Sequence, residues 1–132
     1  MKAILFIGRL LFSFIFLMAP MTHFTSMGVH YGAAMGVPVP YFFVPLSGLI
    51  ALLGAISIII GFKAKVGGWL IVIFLIPVTF YMHAFWNISD PMTRQMQMGM
   101  FMKNLAMLGG ALIIAYFGSG PWSIDSAKNS NS

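Results

Sequence analysis

The chain has no cysteine and only two acidic residues, Asp90 and Asp125, among 132. The first absence excludes disulfides, thiolate metal sites and thiol–disulfide catalysis by this chain. The second excludes paired-carboxylate chemistry and leaves no carboxylate inside any long apolar run to neutralise a buried cation. Charged residues of both signs make up 7% of the sequence, against about 25% in a typical soluble domain. An ordinary water-exposed surface cannot be built from so little charge. Phosphate-cradling glycine loops, zinc-type ligand spacings and a Ser-His-Asp set with an available acid are missing as well.

What the sequence does have is apolar length. Hydrophobic residues make up 60% of it and fall into four blocks, at about 3–21, 41–62, 66–88 and 97–117. Each block is close to the ~20 residues a helix needs to cross a ~30 Å hydrocarbon layer. The blocks are continuously apolar, not alternating, which argues against a transmembrane β-barrel. The predicted fold is therefore all-α: a polytopic, antiparallel bundle of four transmembrane helices forming one domain over residues 1–118. The apolar start after Lys2 reads as a retained first helix, because Arg9 interrupts it and no small-x-small cleavage site follows Met18-Ala19-Pro20.

The connections differ in character. Residues 22–40 carry no Asp, Glu, Lys or Arg and read as a short interfacial helix or re-entrant turn, closed by Pro38 and Pro40. Residues 61–65 are so short a link that they force an antiparallel hairpin. Pro77 predicts a kink at mid-depth of the third helix. Gly48, Gly54, Gly67-Gly68 and Gly109-Gly110 are points where helices can approach closely in lipid. Past Gly118 a polar tail, 119–132, is expected to fold back to about residue 125 and to be disordered beyond it.

The seven basic residues give a net charge of +5, but they are scattered, mostly at helix ends, and form no nucleic-acid-binding patch. Lys2, Lys63, Lys65 and Lys128 lie on one side and Arg94 on the other. By the positive-inside rule both termini and the 61–65 turn face the cytoplasm.

Four stretches together resemble the DoxX family of small membrane proteins. They are Gly8-Arg9-Leu10 to His23-Phe24, GAAMGVPVP with LSGLIALLGAISIIIGFKAKVGGWL, IPVTFYMHAFWN, and MKNLAMLGGALIIAYFGSGPWSID. The resemblance spans about residues 4–125. It implies a helical bundle in the bacterial inner membrane and a link to redox chemistry, since members are commonly labelled oxidoreductases and some relatives are subunits of a thiosulfate:quinone oxidoreductase.

Two cations, Arg9 and Lys103, fall inside the apolar blocks. A charge at that depth costs at least ~2.5–3.5 kcal/mol on insertion scales, so each needs a partner. For Arg9 the expected partner is Asp125, brought back by a left-handed cap at Gly118 and a turn at Gly120-Pro121. Lys103, His83 and His23 come from three helices to a similar outer depth. On a continuous helix His83 and Asn87 are one turn apart, with Trp86 beside them. The expected ligand site is thus His23, His83, Trp86, Asn87 and Lys103. Its cationic and imidazole donors suit a quinone headgroup. The competing reading is a polar cluster that only tethers the loops, with Trp86 part of an aromatic belt. Met96/Met100 and Met98/Met102 stack one turn apart, but the two pairs face opposing directions. Copper is therefore disfavoured, and adaptable apolar packing explains these methionines.

These features support an integral membrane, redox-associated module that binds a quinone-like ligand at an outer-leaflet polar site and acts with a partner oxidoreductase. No covalent cofactor and no metal are expected. Whether the chain itself is catalytic stays open. The alternative is a non-catalytic structural subunit or assembly factor of a larger complex, and a small-solute carrier is a third option. Expected partners are the lipid bilayer and either another protein or further copies of this chain, not nucleic acid. The absence of native cysteine makes the orientation directly testable. A Ser89→Cys variant is expected to react with a membrane-impermeant maleimide from outside intact cells, and Ser130→Cys only after permeabilisation. Labelling of position 130 from outside would reverse the orientation.

Overall fold

A computed structural model describes residues 1–129. Seven α-helices and one 3-10 turn follow one another: α1 (Lys2–Leu17), α2 (Pro20–His23), α3 (Ser26–Ala34), α4 (Pro40–Ile60), α5 (Ala64–Met82), the 3-10 turn (Phe85–Asn87), α6 (Pro91–Phe117) and α7 (Ile124–Asn129). There is no strand among the described residues. Four segments are long and apolar enough to cross a membrane: Lys2–His23, Pro40–Ile60, Ala64–Asn87 and Pro91–Phe117. The all-α four-span bundle read from the sequence is the architecture observed.

Local chemistry sets the helix ends. Pro20, Pro40 and Pro91 open α2, α4 and α6, where a missing N–H costs nothing and the fixed φ is already helical. Asp90 caps α6, accepting from the Thr93 N–H at 2.9 Å and from the Thr93 hydroxyl. These bonds, the hydroxyl one first, hold the Asp90 carboxyl below the usual carboxylate range. Thr25 caps α3 through the Gly28 N–H. Gly61 ends α4 in the left-handed region at φ 68°, a conformation glycine adopts without a Cβ penalty.

Three differences from the sequence reading have identifiable causes. The third helix stops at Met82, because His83 leaves helical geometry (φ −125°, ψ 36°) and the chain tightens into the 3-10 turn. The fourth helix starts at Pro91, since the Asp90 cap draws the polar residues 91–96 into its first turns. The tail stays ordered past residue 125: Ser123 accepts from the Ser126 N–H at 3.1 Å and starts α7. The expected disorder of residues 130–132 lies outside the described residues. The 22–40 connection is two short helices, α2 and α3, joined at Phe24-Thr25.

Helix α5 is the central element and packs against both α4 and α6. Lipid tails are as apolar as leucine, so the helices gain little from hydrophobicity and must gain from close contact. Glycine makes that contact available. Gly54 of α4 lies against Gly67 and Ile71 of α5, and Gly68 lies against the backbone of Ala111 and Ala115 in α6. Ile58, Ile71, Leu75, Phe16 and Phe74 fill the core around these approaches. Phe12 of α1 packs on Gly110 of α6. Large side chains such as Leu11, Ile113 and Tyr116 point outward. Such a surface would drive aggregation in water, and around membrane spans it is solvated by hydrocarbon.

A Cβ built on Gly68 would sit 2.6 Å from the Ala115 backbone nitrogen, whereas one on Gly99 would meet nothing within 4 Å. Glycine-to-alanine in a helix ordinarily gains roughly 0.5–1 kcal/mol. Gly68→Ala is nevertheless expected to destabilise the bundle by about 1–3 kcal/mol through overpacking, and Gly99→Ala to leave it unchanged or more stable. Thermal melting in detergent distinguishes the two.

Candidate functional site

The five residues expected to converge are divided between separate places. His23 ends α2; its Nδ1 lies 2.8 Å from the Ala19 carbonyl and 3.2 Å from the Thr22 hydroxyl. Its ring is tilted against Phe74 with centroids 5.7 Å apart, and its Cβ and Cγ lie over Gly48. His83 instead pairs with α6, with Nδ1 2.7 Å from the Gln97 side-chain oxygen. Trp86 joins Phe80, Phe85 and Phe101 in an edge-to-face aromatic cluster. Asn87 is exposed at the end of the 3-10 turn.

Lys103 also departs from expectation. It faces outward from α6, and among the described residues its Nζ reaches only the Met100 sulfur, 3.5 Å away. The next residue, Asn104, turns inward and is 3% exposed. The physical reasons are local. Successive helix positions are ~100° apart, and α6 is turned so that Asn104 takes the core-facing position and Lys103 the outward one. The helix also ends at Met82, so His83 and Asn87 do not stack one turn apart. The sequence reading missed Gln97, although it is the single polar side chain in the run Met96-Gln97-Met98.

A cavity of about 400 Å³ lies between α4 and α5, closed at one side by α2 and the chain around Val37-Pro38. Its position follows from the packing described above. The glycine contact of Gly54 with Gly67 pinches the two helices together near the end that carries the termini. Toward the other end bulkier residues face each other, and each helix holds an internal proline, Pro45 and Pro77, that interrupts its hydrogen-bond ladder. The lining is apolar except for three groups, His23, Ser47 and Tyr81. Phe43, Ile73 and Tyr81 line the cavity and are also outwardly exposed. The mouth thus opens sideways, between the helices, toward lipid. The volume falls within the ~300–1,000 Å³ range of small-molecule sites.

At the end of the bundle that carries the termini, the tail is tied down, but not by the expected ion pair. Arg9 is 4% exposed. Its Nη2 donates to the Trp122 carbonyl, and the guanidinium lies 5.6 Å from the Phe6 ring, which Trp122 also meets edge-on. The Asp125 carboxylate goes elsewhere: it accepts the Lys63 N–H at 2.9 Å and the Ala64 N–H at 3.1 Å. The Asp125 N–H in turn donates to the Gly61 carbonyl at 2.8 Å. No ion pair within 4.0 Å forms among the described residues. The cause is the bare start of α5, whose N-cap, Lys63, supplies no side-chain acceptor. Asp125 fills that role from a distant part of the chain. Arg9 Nε, Arg9 Nη1 and the Ser13 hydroxyl, one turn further along α1, remain without partners among the described residues.

Comparison with known proteins fixes the lineage. The model of the SURF4 family matches residues 2–131, almost the whole chain. The chain belongs to the SURF4 family. It is 31% identical over 125 residues to "Inner membrane protein YqjF" of Escherichia coli (strain K12), covering 93% of this chain and 90% of that protein. This corrects the DoxX assignment suggested by the HAFW and KNLAMLGG stretches. Those stretches are short, whereas the SURF4 match runs over almost the whole chain. No solved structure matches the chain.

Removing the Asp125 carboxylate leaves two backbone donors of α5 without their acceptor. Asp125→Ala is expected to cost about 1–2 kcal/mol, the upper range for a lost helix cap, read as a lower melting midpoint in detergent. Arg9→Lys keeps the charge and is expected to cost less.

Proposed function

We propose that this SURF4-family chain is a multi-pass protein of the bacterial inner membrane, with both termini cytoplasmic, that binds a lipophilic, ring-headed ligand of quinone type between α4 and α5 and works with a partner oxidoreductase. The observation that carries this reading is the 400 Å³ apolar cavity with one imidazole in its wall and a mouth toward lipid. A prenylated ring partitions into the bilayer and can enter such a mouth without crossing water. The cavity walls would hold the ring and the start of the tail, and His23 would hold a ring oxygen. Of His23, His83, Trp86, Asn87 and Lys103, only His23 lines the cavity, so the proposed site contracts to His23 with Ser47 and Tyr81. The inner-membrane placement is supported by the printed name of the E. coli relative and by the basic bias at the termini. The partner is invoked because the chain has no cysteine and the described residues hold no cluster of three His, Cys, Asp or Glu side chains. Electrons would therefore be handled by another protein.

One observation favours a second reading. Lys103 faces outward from within an apolar span, and sulfur is its one hydrogen-bond partner among the described residues. A cation at that depth calls for a counter-charge, which another membrane subunit would provide. That is the structural-subunit reading.

Gentle purification from native membranes, followed by mass spectrometry of extracted lipids, separates the two. A quinone-type lipid is expected near one per chain. Ile50→Trp, which fills the cavity, is expected to lower it at least severalfold while leaving the protein monodisperse. Absence of any such lipid from the wild type, with stable co-purification of another membrane protein that Lys103→Met releases, would favour the subunit role.

A further inference from the structure

We infer that the α4–α5 cavity selects the reduced, hydroxyl-bearing form of its ring ligand over the oxidised, carbonyl-bearing form; this rests on the ligand-binding reading above. The argument is an inventory of hydrogen-bond donors and acceptors. His23 Nδ1 lies 2.8 Å from the Ala19 carbonyl oxygen. A carbonyl only accepts, so Nδ1 must carry the ring proton. The Thr22 hydroxyl, 3.2 Å from Nδ1, is itself directed at the same carbonyl as a donor. In the neutral imidazole Nε2 is then a lone-pair acceptor, and no hydrogen bond to another described residue engages it. Ser47 is committed in the same sense: its hydroxyl donates to the Val44 carbonyl at 2.7 Å, which leaves only lone pairs to offer. Tyr81, the third polar group of the lining, is 43% exposed at the mouth. The two polar groups set further in are therefore acceptors.

A quinone ring offers only acceptors to such a wall. Its carbonyl oxygen against Nε2 or the Ser47 oxygen would set lone pair against lone pair and leave a buried polar group unsatisfied, which is the expensive outcome of polar burial. A quinol presents two O–H groups, and each can donate to one of these acceptors. The apolar walls do not distinguish the two forms, because ring and tail are the same in both. Selectivity thus falls on His23 and Ser47.

The test uses the full-length protein in lipid nanodiscs with decylubiquinol, decylubiquinone and the quinol dimethyl ether, which keeps the ring and removes the donors. Reductant can hold the quinol reduced without altering the protein, since the chain has no cysteine. Calorimetric titration is expected to show the quinol bound at least about tenfold more tightly than the quinone or the ether, from the cost of one unsatisfied buried acceptor. His23→Leu removes the acceptor that the quinone leaves unsatisfied, and is expected to tighten quinone binding severalfold and to narrow the quinol-to-quinone preference from about tenfold to within about twofold. Should His23→Leu not fold, Ser47→Ala gives the same readout in a smaller degree. Equal affinities, or tighter binding of the quinone, would overturn the selectivity while leaving the cavity a ligand site. Failure of all three compounds to bind would overturn the ligand-binding reading itself.

Discussion

The close approach of α5 to its two neighbours is the constraint on which the rest of the structure depends. In lipid there is no water to expel from between helices, so their association rests on van der Waals contact and hydrogen bonding. Gly67 and Gly68 are adjacent in sequence and so face two directions; one receives α4 and the other α6. With α5 held between them at this level, the remaining elements have little freedom. The α4–α5 pair can separate only away from the pinch, where Pro45 and Pro77 weaken both backbones. The cavity is thus a consequence of where the glycines are and are not.

The termini end answers to a second demand, that backbone polar groups be satisfied wherever water is scarce. Helix α5 begins almost as soon as α4 ends, with Lys63 held in the left-handed region at φ 50°, and no side chain of the turn caps it. The tail supplies the missing acceptor through Asp125. Arg9 then holds the tail by a direct hydrogen bond to a backbone carbonyl, with the Asp125 carboxylate near enough to attract it but not in contact. The arrangement couples three distant parts of the sequence, the first helix, the 61–65 turn and the last helix, through main-chain atoms.

That use of main-chain atoms explains what could be read from the sequence. Four spans were legible because apolar length is a direct physical requirement of crossing hydrocarbon. The return of the tail was legible from Gly120 and Asp125, although Gly118 takes φ 84°, ψ −157° instead of the left-handed cap expected there. The target of Asp125 was not, because a backbone N–H has no residue-specific signature and an arginine in the same region was the obvious partner. The end of α5 was hidden for a similar reason: Phe85-Trp86 continues the apolar composition after the helix has stopped. The polar cluster failed on rotation. Depth in the membrane can be counted from the sequence, but whether Lys103 or Asn104 faces the core depends on how α6 is turned against α5. The cavity lay beyond reach because its lining is assembled from α4, α5, His23 and the chain around Val37-Pro38, which are distant in sequence. Of its polar lining, His23 was recognised as a candidate, while Ser47 and Tyr81 resemble the many hydroxyl residues that only bond their own helix.

On the ligand-binding reading proposed above, the sideways mouth changes what binding strength would mean for this chain. A ligand that enters from the acyl region leaves an environment already as apolar as the walls it meets, so burying its ring and tail supplies little net free energy. Occupancy is then governed by the mole fraction of ligand among the lipids, not by an aqueous concentration, and dilution of the membrane with inert lipid should empty the site at constant total ligand. On that reading the few polar atoms of the wall would carry almost all of the discrimination. Evolution of such a site would proceed by single substitutions at those atoms, with the glycine pinch and the prolines left in place.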